Sequence, residues 1–596
     1  MKKLALVLAV VMVLSLGLTA CGGSTSSTGT ASSAPAGSSS SGSASDAAPA
    51  YNPDALQVKA LDDNTLQVTL TARTPYFLEL TAFPAYAPVQ QATVEANGEA
   101  WAVDAATYIG NGPYKIAEWV PSSHITMVKN ENYWNVDSLA GPDTLQFTLM
   151  EDDAAQLTAF QSGELDFIDA VPNDEIDALS STPEFYKEGQ IGTYYVSYNT
   201  QAAPFDDPLV RQAFTLAVDR DYICKQIGKS GQIPAGALVS EGLSDAAEGS
   251  SFREVGGDYY DPTAGANEAN LAKAKELLAE AGYPNGEGLP TITYLYNEGT
   301  AHQQIGEALQ QMWGQLGATV TLESQEWATF LNTRKNGDYQ VARNGWLGDY
   351  NDPISFLDMW ITGGGNNDAQ WSNAEFDSLI KQIKSSGDAE ARMEMMHQAE
   401  DIIFDEWMLC PIYYYVDIYM AQQNLENLST SPLGFKFFMN ASNGTDTLKV
   451  CTGPDPDTID PALNSAVDGG TMIDHAFEGL YTVAYGTTPT PGQAESVEIS
   501  EDGLTYTFHL REGLKWSDGT PLTAHDFVYS WQRAVDPATG ADYAYMFDCI
   551  AGYTEAINGE EYVAPAADAS SASTSESAAE SVSASTSESA STSAAA

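Results

Sequence analysis

"PTITYLYNEGTAHQQIGEALQQMWGQLGATVTLESQEWATFLNTRKNGDYQVARNGW", residues 290–346, decides the fold class. Strands and helices alternate in it: strand 290–297, helix 301–317, strand 318–324, helix 327–337 and strand 339–346. Apolar residues recur at helical spacing in the first helix, at Ile305, Leu309, Met312, Trp313 and Leu316. The β-α-β-α-β pattern predicts an α/β fold with a parallel or mixed sheet covered by helices. Two further helices are predicted over 267–283 and 388–407.

A polar and aromatic loop, "GWLGDYNDP" (345–353), follows the last of these strands, which is predicted to be buried and to reach Arg343. The loop contains two aromatic residues, two aspartates, two glycines and a proline. In α/β sheets, ligands bind beyond the carboxyl ends of the strands. The loop is therefore a turn, an active site or a clamp for a charged group, and its pattern alone does not choose among them.

The N-terminus has the pattern of a secretory signal peptide over 1–20, with Lys2 and Lys3 before an apolar run. "LTAC" ends at Cys21 and is similar to a bacterial lipobox, in which the cysteine is lipidated; a plain signal peptide with a chance cysteine is the alternative. Multiple acyl chains anchor a protein stably. Residues 21–50 are rich in Ser and Gly and predict a flexible tether. We therefore expect an extracytoplasmic protein, anchored by lipid to the bacterial cell membrane on its periplasmic side or at the cell surface.

Charge and length narrow the function further. Asp and Glu number 81 against 25 Lys and Arg, a formal net charge of −56, which argues against nucleic acid or anionic lipid as the main partner. Residues 51–565 exceed one compact core and predict two or three lobes. The tail 566–596 is rich in Ser and Ala and predicts disorder. The remaining cysteines form no CxxC and are either disulfide-bonded or free and buried: Cys224, Cys410, Cys451 and Cys549.

Catalytic patterns are missing from the sequence. It contains no HExxH, no GxSxG and no Walker A motif, and its six histidines form no tight metal-binding pattern. Carboxylate pairs are frequent in so acidic a chain, so pattern alone neither excludes nor singles out a glycosidase-like pair. We expect a binding protein that is not an enzyme, with no cofactor and no metal site.

Several motifs resemble one known family. They include "GLTYTFHLREGLKWSDGTPLTAHDFVYSWQRAVDP" (503–537), "YNTQAAPFDDPLVRQAFTLAVDRD" (198–221), "AKAKELLAEAGYP" (272–284) and "RNGWLGDYNDPISFL" (343–357). Together with shorter matches they cover nearly the whole globular part and resemble the oligopeptide-binding lipoproteins of ABC importers, family 5 of the extracellular solute-binding proteins. The resemblance implies a two-lobed periplasmic-binding-protein-like α/β fold with a cleft and an accessory α+β domain. It also implies a monomer that captures short peptides and delivers them to the importer's permease and ATPase subunits.

The order of the motifs differs from that of the family, in which the segment from about Asn443 would come first. The chain therefore resembles a circular permutant, although a rearrangement of the gene gives the same order. "FFMNASNGTDTLKV" (437–450) would then join the family's C-terminus to its N-terminus. The resemblance implies three domains: an accessory domain (51–109 with 486–565), lobe 1 (110–190 with 416–442 and 446–485) and lobe 2 (191–415).

The resemblance also implies the binding residues. Asp349 matches the aspartate that holds the peptide's α-ammonium, and Arg343 and Arg334 match arginines near the peptide's carboxylate. The matching wall residues are the tryptophans Trp327 and Trp346, the tyrosines Tyr195, Tyr415 and Tyr543, and the main-chain segment Ser465, Ala466 and Val467. The family has an acidic residue where this chain has Ser465, and His-Pro where it has Phe83-Pro84, which puts the peptide length and preference in doubt.

Each of these residues has a plainer interpretation. Asp349 is the kind of residue that caps its own turn, the two arginines suit surface salt bridges, and the tryptophans suit a hydrophobic core. At the level of function, the alternatives are a binding protein for another solute (a dipeptide, a glycan fragment or a metal chelate) and a secreted hydrolase.

Overall fold

Two β-sheets organise the protein, one mixed sheet of eleven strands and one antiparallel sheet of four. The computed structural model describes residues 50–484 and 488–564, which belong to one compact unit. The predicted signal peptide, Cys21, the tether up to residue 49 and the tail from residue 566 lie outside the described residues. The domain boundaries given above stay a prediction.

The strands over the described residues are β1 (Val58–Asp62), β2 (Thr65–Thr69), β3 (Tyr114–Val120), β4 (His124–Lys129), β5 (Thr144–Leu149), β6 (Phe167–Ile168), β7 (Phe185–Tyr198), β8 (Ile233–Pro234), β9 (Ile292–Asn297), β10 (Val320–Gln325), β11 (Val341–Leu347), β12 (Leu409–Ala421), β13 (Ser429–Thr430), β14 (Lys436–Phe437), β15 (Thr447–Gly453), β16 (Tyr481–Thr482), β17 (Thr490–Pro491), β18 (Ala494–Ile499) and β19 (Thr505–Leu510).

The α-helices over the same residues are α1 (Phe77–Leu80), α2 (Gln91–Asn97), α3 (Asp153–Ser162), α4 (Ile176–Leu179), α5 (Pro208–Leu216), α6 (Arg220–Tyr222), α7 (Phe252–Gly256), α8 (Asn267–Glu280), α9 (Thr300–Gly314), α10 (Trp327–Lys335), α11 (Ala374–Ser385), α12 (Ala389–Asp405), α13 (Val467–Ala476), α14 (Ala524–Val535) and α15 (Tyr553–Asn558).

The predicted β-α-β-α-β segment is confirmed as β9-α9-β10-α10-β11. Strands β10 and β11 both pair in parallel with β9, and β11 pairs antiparallel with β7, so the sheet is mixed. The Glu326 side chain accepts hydrogen bonds from the first amides of α10, and Gly337 follows the helix with φ of +71°. The predicted helices 267–283 and 388–407 correspond to α8 and α12.

The carboxyl end of β11 agrees with the prediction to within one residue and sets the start of the following loop. Strand β11 runs to Leu347, one residue beyond the predicted end at Trp346, because its residues keep pairing with Gly192–Val196 of β7. The loop proper therefore begins at Gly348, at the carboxyl end of β11 as expected.

Two long strands hold the large sheet together. The order of its strands is β10-β9-β11-β7-β12-β6-β15-β5-β4-β3, with β8 also paired to β12. Strands β7 and β12 pair over most of their lengths, and the register between them shifts at Pro411/Tyr413 and Tyr414/Val416. Such bulges bend a strand and re-aim its side chains. The residues that follow the second bulge border the main cavity.

The four-stranded sheet combines segments that are far apart in sequence. Its order is β1-β2-β19-β18, so β2, near the start of the described chain, pairs with β19, near its end. Helix α14 packs beside it and begins with a capping box between Thr523 and Asp526. Strand β15 similarly lies between β5 and β6, parallel to both.

The four cysteines of the described chain, Cys224, Cys410, Cys451 and Cys549, are free and buried. Of the two interpretations left open by the sequence, the structure supports unpaired thiols in the core. No helix among residues 50–484 and 488–564 combines the length and the apolar character that a membrane span requires.

Candidate functional site: a cavity at the carboxyl end of β11

A cavity of about 510 Å³ lies at the carboxyl end of β11. Its walls come from β11 and the following loop, α10, the second half of β12, the start of α13, and the segments around Phe83 and Tyr543. All eleven residues proposed from the resemblance border it: Tyr195, Trp327, Arg334, Arg343, Trp346, Asp349, Tyr415, Ser465, Ala466, Val467 and Tyr543. The structure thus brings together residues that are up to 348 positions apart in sequence.

Asp349 lies at one end of the cavity. Its carboxylate accepts hydrogen bonds from the hydroxyls of Tyr543 (2.8 Å) and Ser355 (3.1 Å), and no basic side chain of the described chain pairs with it. Burial raises the pKa of Asp349 well above its usual value, and the two hydroxyl donors only partly oppose this. A buried carboxylate without a positive partner is a suitable site for an ammonium group.

The loop that carries Asp349 is fixed by a buried ion pair. Arg392 of α12 forms two hydrogen bonds with Asp352, at 2.7 and 2.9 Å, and Asp352 accepts a bond from the amide of Ile354. The indole of Trp346 donates to the carbonyl of Ser355 at 2.8 Å. "GWLGDYNDP" is therefore a rigid loop in which one aspartate is structural and the other faces the cavity.

The two predicted arginines differ in their surroundings. Arg334 lies 2.6 Å from the carboxylate of Asp368, and both side chains are buried. Arg343 has no carboxylate within 4 Å among the described residues, and its Nε is buried without a hydrogen-bond acceptor. Its guanidinium lies over the rings of Tyr194 (5.2 Å) and Trp327 (6.0 Å). Arg343, rather than the already paired Arg334, is thus the cation available to an anionic ligand.

The aromatic residues form the walls of the cavity. Tyr543 meets Phe83 edge to face at 5.1 Å, so the Phe83-Pro84 pair packs directly against the Asp349 end. Tyr195 packs on Trp360 at 5.9 Å. A Cβ at Gly345 would collide with the hydroxyl of Tyr415, so a larger residue there would displace the Tyr415 side chain.

The main-chain segment Ser465–Val467 precedes and begins α13. Ala466 is extended, with φ of −124° and ψ of 147°. The Ser465 hydroxyl donates to Asp542 at 2.9 Å, so a carboxylate still lies beside the position where the family has its acidic residue. Extended main chain on a cavity wall can pair with an extended ligand without regard to the ligand's side chains.

The sequence analysis did not identify His302, which also borders the cavity. Its Nδ1 lies 3.2 Å from the Tyr194 hydroxyl. Burial, together with the nearby Arg343 guanidinium, holds the pKa of His302 well below its usual value, so the imidazole is neutral. Asn297 is the last residue of β9 and His302 lies shortly after it, and this position at the carboxyl end of a strand was the signal that could have identified both.

A second missed feature is a buried ionic cluster behind β12. Lys436 lies 2.8 Å from Asp417 and 3.4 Å from Asp169, and both aspartates border the cavity. Burial raises the pKa of Asp169 to about 6, although Lys436 opposes the shift. The partners come from three distant segments, so no local pattern could reveal the cluster.

Some buried polar atoms on the cavity wall have no hydrogen-bond partner in the described chain: Tyr195 Oη, Asn297 Oδ1, Arg343 Nε and Thr452 Oγ1. Buried polar groups are nearly always satisfied, and exceptions require an explanation. Their concentration here favours a polar ligand in this cavity. No group of three or more His, Cys, Asp or Glu side chains in the described part is arranged to hold a metal ion.

Comparison with known proteins shows which family the chain resembles. The family described as bacterial extracellular solute-binding proteins, family 5, matches residues 27–368 and 488–586. The chain is 37% identical to the dipeptide-binding protein DppE of Bacillus subtilis, over 64% of this chain and 69% of that protein. It is 35% identical to the oligopeptide-binding protein OppA of the same organism, over 65% of this chain and 71% of that protein.

Solved structures of oligopeptide-binding proteins have a similar fold. The Haemophilus influenzae OppA complex with RPPGFSPFR is similar with a TM-score of 0.57 and 29% identity, over 62% of this chain and 71% of that chain. The substrate-binding domain of the Bacillus anthracis oligopeptide ABC transporter gives a TM-score of 0.59 and 26% identity, over 65% of this chain and 74% of that chain. The α/β fold is therefore that of the oligopeptide-binding proteins, and this chain belongs to family 5 of the bacterial extracellular solute-binding proteins.

Proposed function

We propose that this protein captures short peptides in the cavity and presents them to the permease of an ABC importer. One observation carries the proposal: Asp349, a carboxylate without a basic partner, and Arg343, a guanidinium without an acidic partner, border the same cavity. A peptide with free ends carries an ammonium that can pair with Asp349 and a carboxylate that can pair with Arg343. The family consists of solute-binding proteins and not of enzymes.

The spacing of the two groups supports a short ligand. Asp349 and Arg343 are six residues apart along β11 and its loop, so at most about 20 Å separates their backbones. An extended peptide advances roughly 3.3–3.6 Å per residue, so about six residues reach from one group to the other. The named relatives bind dipeptides and oligopeptides, which agrees with this range.

The proposal is tested by mass spectrometry of the purified protein after denaturation, followed by calorimetry with peptides of two to eight residues. We expect co-purified peptides of assorted sequence and the tightest binding at or below about six residues. A single non-peptide ligand, or no binding of any free-ended peptide, would overturn it.

We further propose that acylation of Cys21 anchors the protein at the outer face of the cell membrane. The "LTAC" motif and the family membership support this anchor. Cys21→Ala should release the protein into the periplasm or the medium, measured by fractionation in high salt. The diacylglyceryl mass on the first residue should be lost as well. Retention of the variant in the membrane fraction would contradict the proposal.

We also propose that the chain order is a circular permutation of the family order, with two lobes that close on the peptide about β7 and β12. The pairing of β2 with β19, from opposite ends of the described chain, supports the permuted order. Alignments that reach 64% and 65% of the chain are also what a rearranged order would give. The accessory domain and lobes would follow the boundaries given in the sequence analysis.

A further inference from the structure

A second cavity continues beyond Asp349. We call it the side pocket; its volume is about 210 Å³. It shares lining residues with the main cavity: Phe83, Pro84, Asp349, Leu433 and Phe435. Its own lining includes Glu79, Ile191 and Asp474. The main cavity therefore does not end at the carboxylate assigned to the peptide's ammonium.

Helix α13 runs along both cavities and relates them. Val467 and Thr471 border the main cavity, and Asp474, three residues after Thr471 and seven after Val467, borders the side pocket. This spacing places the three residues on one face of the helix. At 1.5 Å per residue, Asp474 lies about 10 Å along the helix from Val467. A Cβ at Gly470 would come within 2.9 Å of the Phe435 ring, so glycine leaves room where the two cavities meet.

The walls of the side pocket combine apolar surface with carboxylates. Phe83, Pro84 and Leu433 provide apolar surface, while Glu79 and Asp474 provide acidic groups; no Lys, Arg or His lines the pocket. Glu79 accepts one hydrogen bond, from the amide of Asn351 at 2.9 Å.

The side chain of Asp474 makes no hydrogen bond or ion pair with any residue of the described chain. Burial raises the pKa of Asp474 well above its usual value, and burial likewise raises that of Glu79. A cation entering the side pocket would therefore meet two carboxylates that lack a positive partner and would favour their ionised forms.

We propose that the side pocket receives the side chain of the peptide's first residue and selects lysine or arginine there. The inference rests on the proposed function, because the ammonium of the same residue is assigned to Asp349. Lysine and arginine combine an apolar stem with a charged end. Their stems match Phe83, Pro84 and Leu433, and their charges match Glu79 and Asp474.

Calorimetry with Lys-Ala-Ala and norleucine-Ala-Ala tests the proposal, because the two first residues share an apolar stem and differ in the charge. We expect the wild type to bind the lysine peptide at least about tenfold more tightly, since hydrogen bonds to charged groups are the stronger ones. In the Glu79→Gln/Asp474→Asn double variant, the preference should fall below about twofold while norleucine-Ala-Ala keeps its affinity. Glu99→Gln removes an exposed acidic charge that lines neither cavity, so this control should keep the full preference.

The possible outcomes distinguish failure of the proposed subsite from failure of the proposed function. Equal affinity for both peptides in the wild type, or a preference that survives in the double variant, would overturn the subsite and leave peptide binding intact. Failure of both peptides to bind would overturn the proposed function itself. If the double variant does not fold, the single variants Glu79→Gln and Asp474→Asn should each lose part of the preference. The first residues of co-purified peptides should also be enriched in lysine and arginine, and a neutral distribution would count against the subsite.

Discussion

Asp349 and Asp352 lie three residues apart in one loop, and their carboxylates have different partners. Asp352 is neutralised by Arg392 through two short hydrogen bonds and holds the loop. Asp349 has only hydroxyl donors and faces the cavity. In a chain with a formal charge of −56, an aspartate at the surface is unremarkable, whereas one that is buried without a cation is costly. This cost is what a bound ammonium would remove.

The first prediction concerns Asp349→Asn, which keeps the shape of the side chain and removes its charge. Removing one partner of a desolvated charge pair costs about 2–5 kcal/mol. Affinity for a free-amine peptide should therefore fall at least about 30-fold in calorimetry, because each 1.4 kcal/mol is roughly tenfold. An N-acetylated peptide has no ammonium, so it should bind the wild type weakly and lose little more in the variant. Equal losses for both peptides would show that Asp349 only shapes the loop.

The second prediction is a pH dependence. Burial raises the pKa of Asp349 in the folded, unliganded protein above its value in the unfolded chain. The contribution of this carboxyl to the stability of the unliganded fold is therefore fully present below the unfolded-state pKa, and it is lost as the pH rises through the folded-state pKa. A bound ammonium favours the ionised carboxylate and lowers this pKa. Binding should therefore release a proton at acidic pH and tighten as pH rises, until the peptide's amine loses its proton near pH 8.

Calorimetry in buffers of different ionisation enthalpy, at several pH values, measures the released proton. The Asp349→Asn variant is the matched control, because it has no carboxylate to ionise at this position. An affinity that stays constant from pH 4 to 7 in the wild type would contradict the prediction.

Most residues that line the site could be predicted from the sequence motifs that resemble the family. Each of the eleven residues taken from the resemblance borders the cavity, but their roles stay predictions. What the sequence could not supply were contacts between distant positions. Arg334 is paired with Asp368, and His302 with Tyr194, because the fold brings four separate elements together. Local patterns carry no information about such pairings.

At the scale of elements, periodicity predicted the helices and strands of 290–346 well, because α9 and β11 each bury one well-defined set of residues. The end of β11 was predicted to within one residue, and its pairing with β7 extends to Leu347. Periodicity could not predict the order of the eleven strands, because this order depends on pairings such as that of β15 with β5, about 300 residues apart.

Helix α10 connects the two sides of the cavity. At its start the amide of Trp327 donates to Glu151 at 3.1 Å, and in its middle Asn332 donates to Asp457 at 3.1 Å. At its end Lys335 lies 2.5 Å from Asp542. Because α10 also provides cavity wall, these contacts hold that wall in place and should slow release of a ligand.

The third prediction follows from the last of these contacts. Lys335→Ala should weaken peptide binding by about two- to fivefold, since partly exposed ion pairs contribute up to about 1 kcal/mol. The loss should appear as faster dissociation in stopped-flow measurements and should not depend on the peptide sequence. Asp542 does not line the cavity, so Asp542→Ala should cause a similar loss, and the two losses should not add.

Lys381→Ala is the control, because Lys381 is exposed on α11 and makes no ion pair with another described residue. If Lys335→Ala weakens binding and Asp542→Ala does not, Lys335 acts on the ligand directly and the role of the pair in holding the wall is wrong.

At the scale of the whole molecule, the ends of the described chain lie side by side. The amide of Asn52 donates to the carbonyl of Ala556 at 2.9 Å, and its side chain donates to the carbonyl of Glu560 at 2.6 Å. The segment that would join the family's two ends is a short turn, in which Asn443 donates to the carbonyl of Thr447 at 3.0 Å. A short linker could therefore join the ends of the described chain, and we expect that either order of the segments can specify the same sheets.

The fourth prediction tests this equivalence with a reordered chain that starts at Thr445, runs to residue 564, continues through a short Gly/Ser linker to residue 51 and ends at Gly444. Exchanging one short loop for another changes the closure entropy little, about 0.6 kcal/mol per doubling of length. The reordered chain should thus unfold within about 1 kcal/mol of the original and bind the same peptides within about twofold. Opening the chain instead between Tyr415 and Val416 interrupts β12 beside the cavity, so this control should not fold. Comparable failure of both reordered chains, by circular dichroism and calorimetry, would show that the present order is required by the fold and would remove the support for a circular permutation.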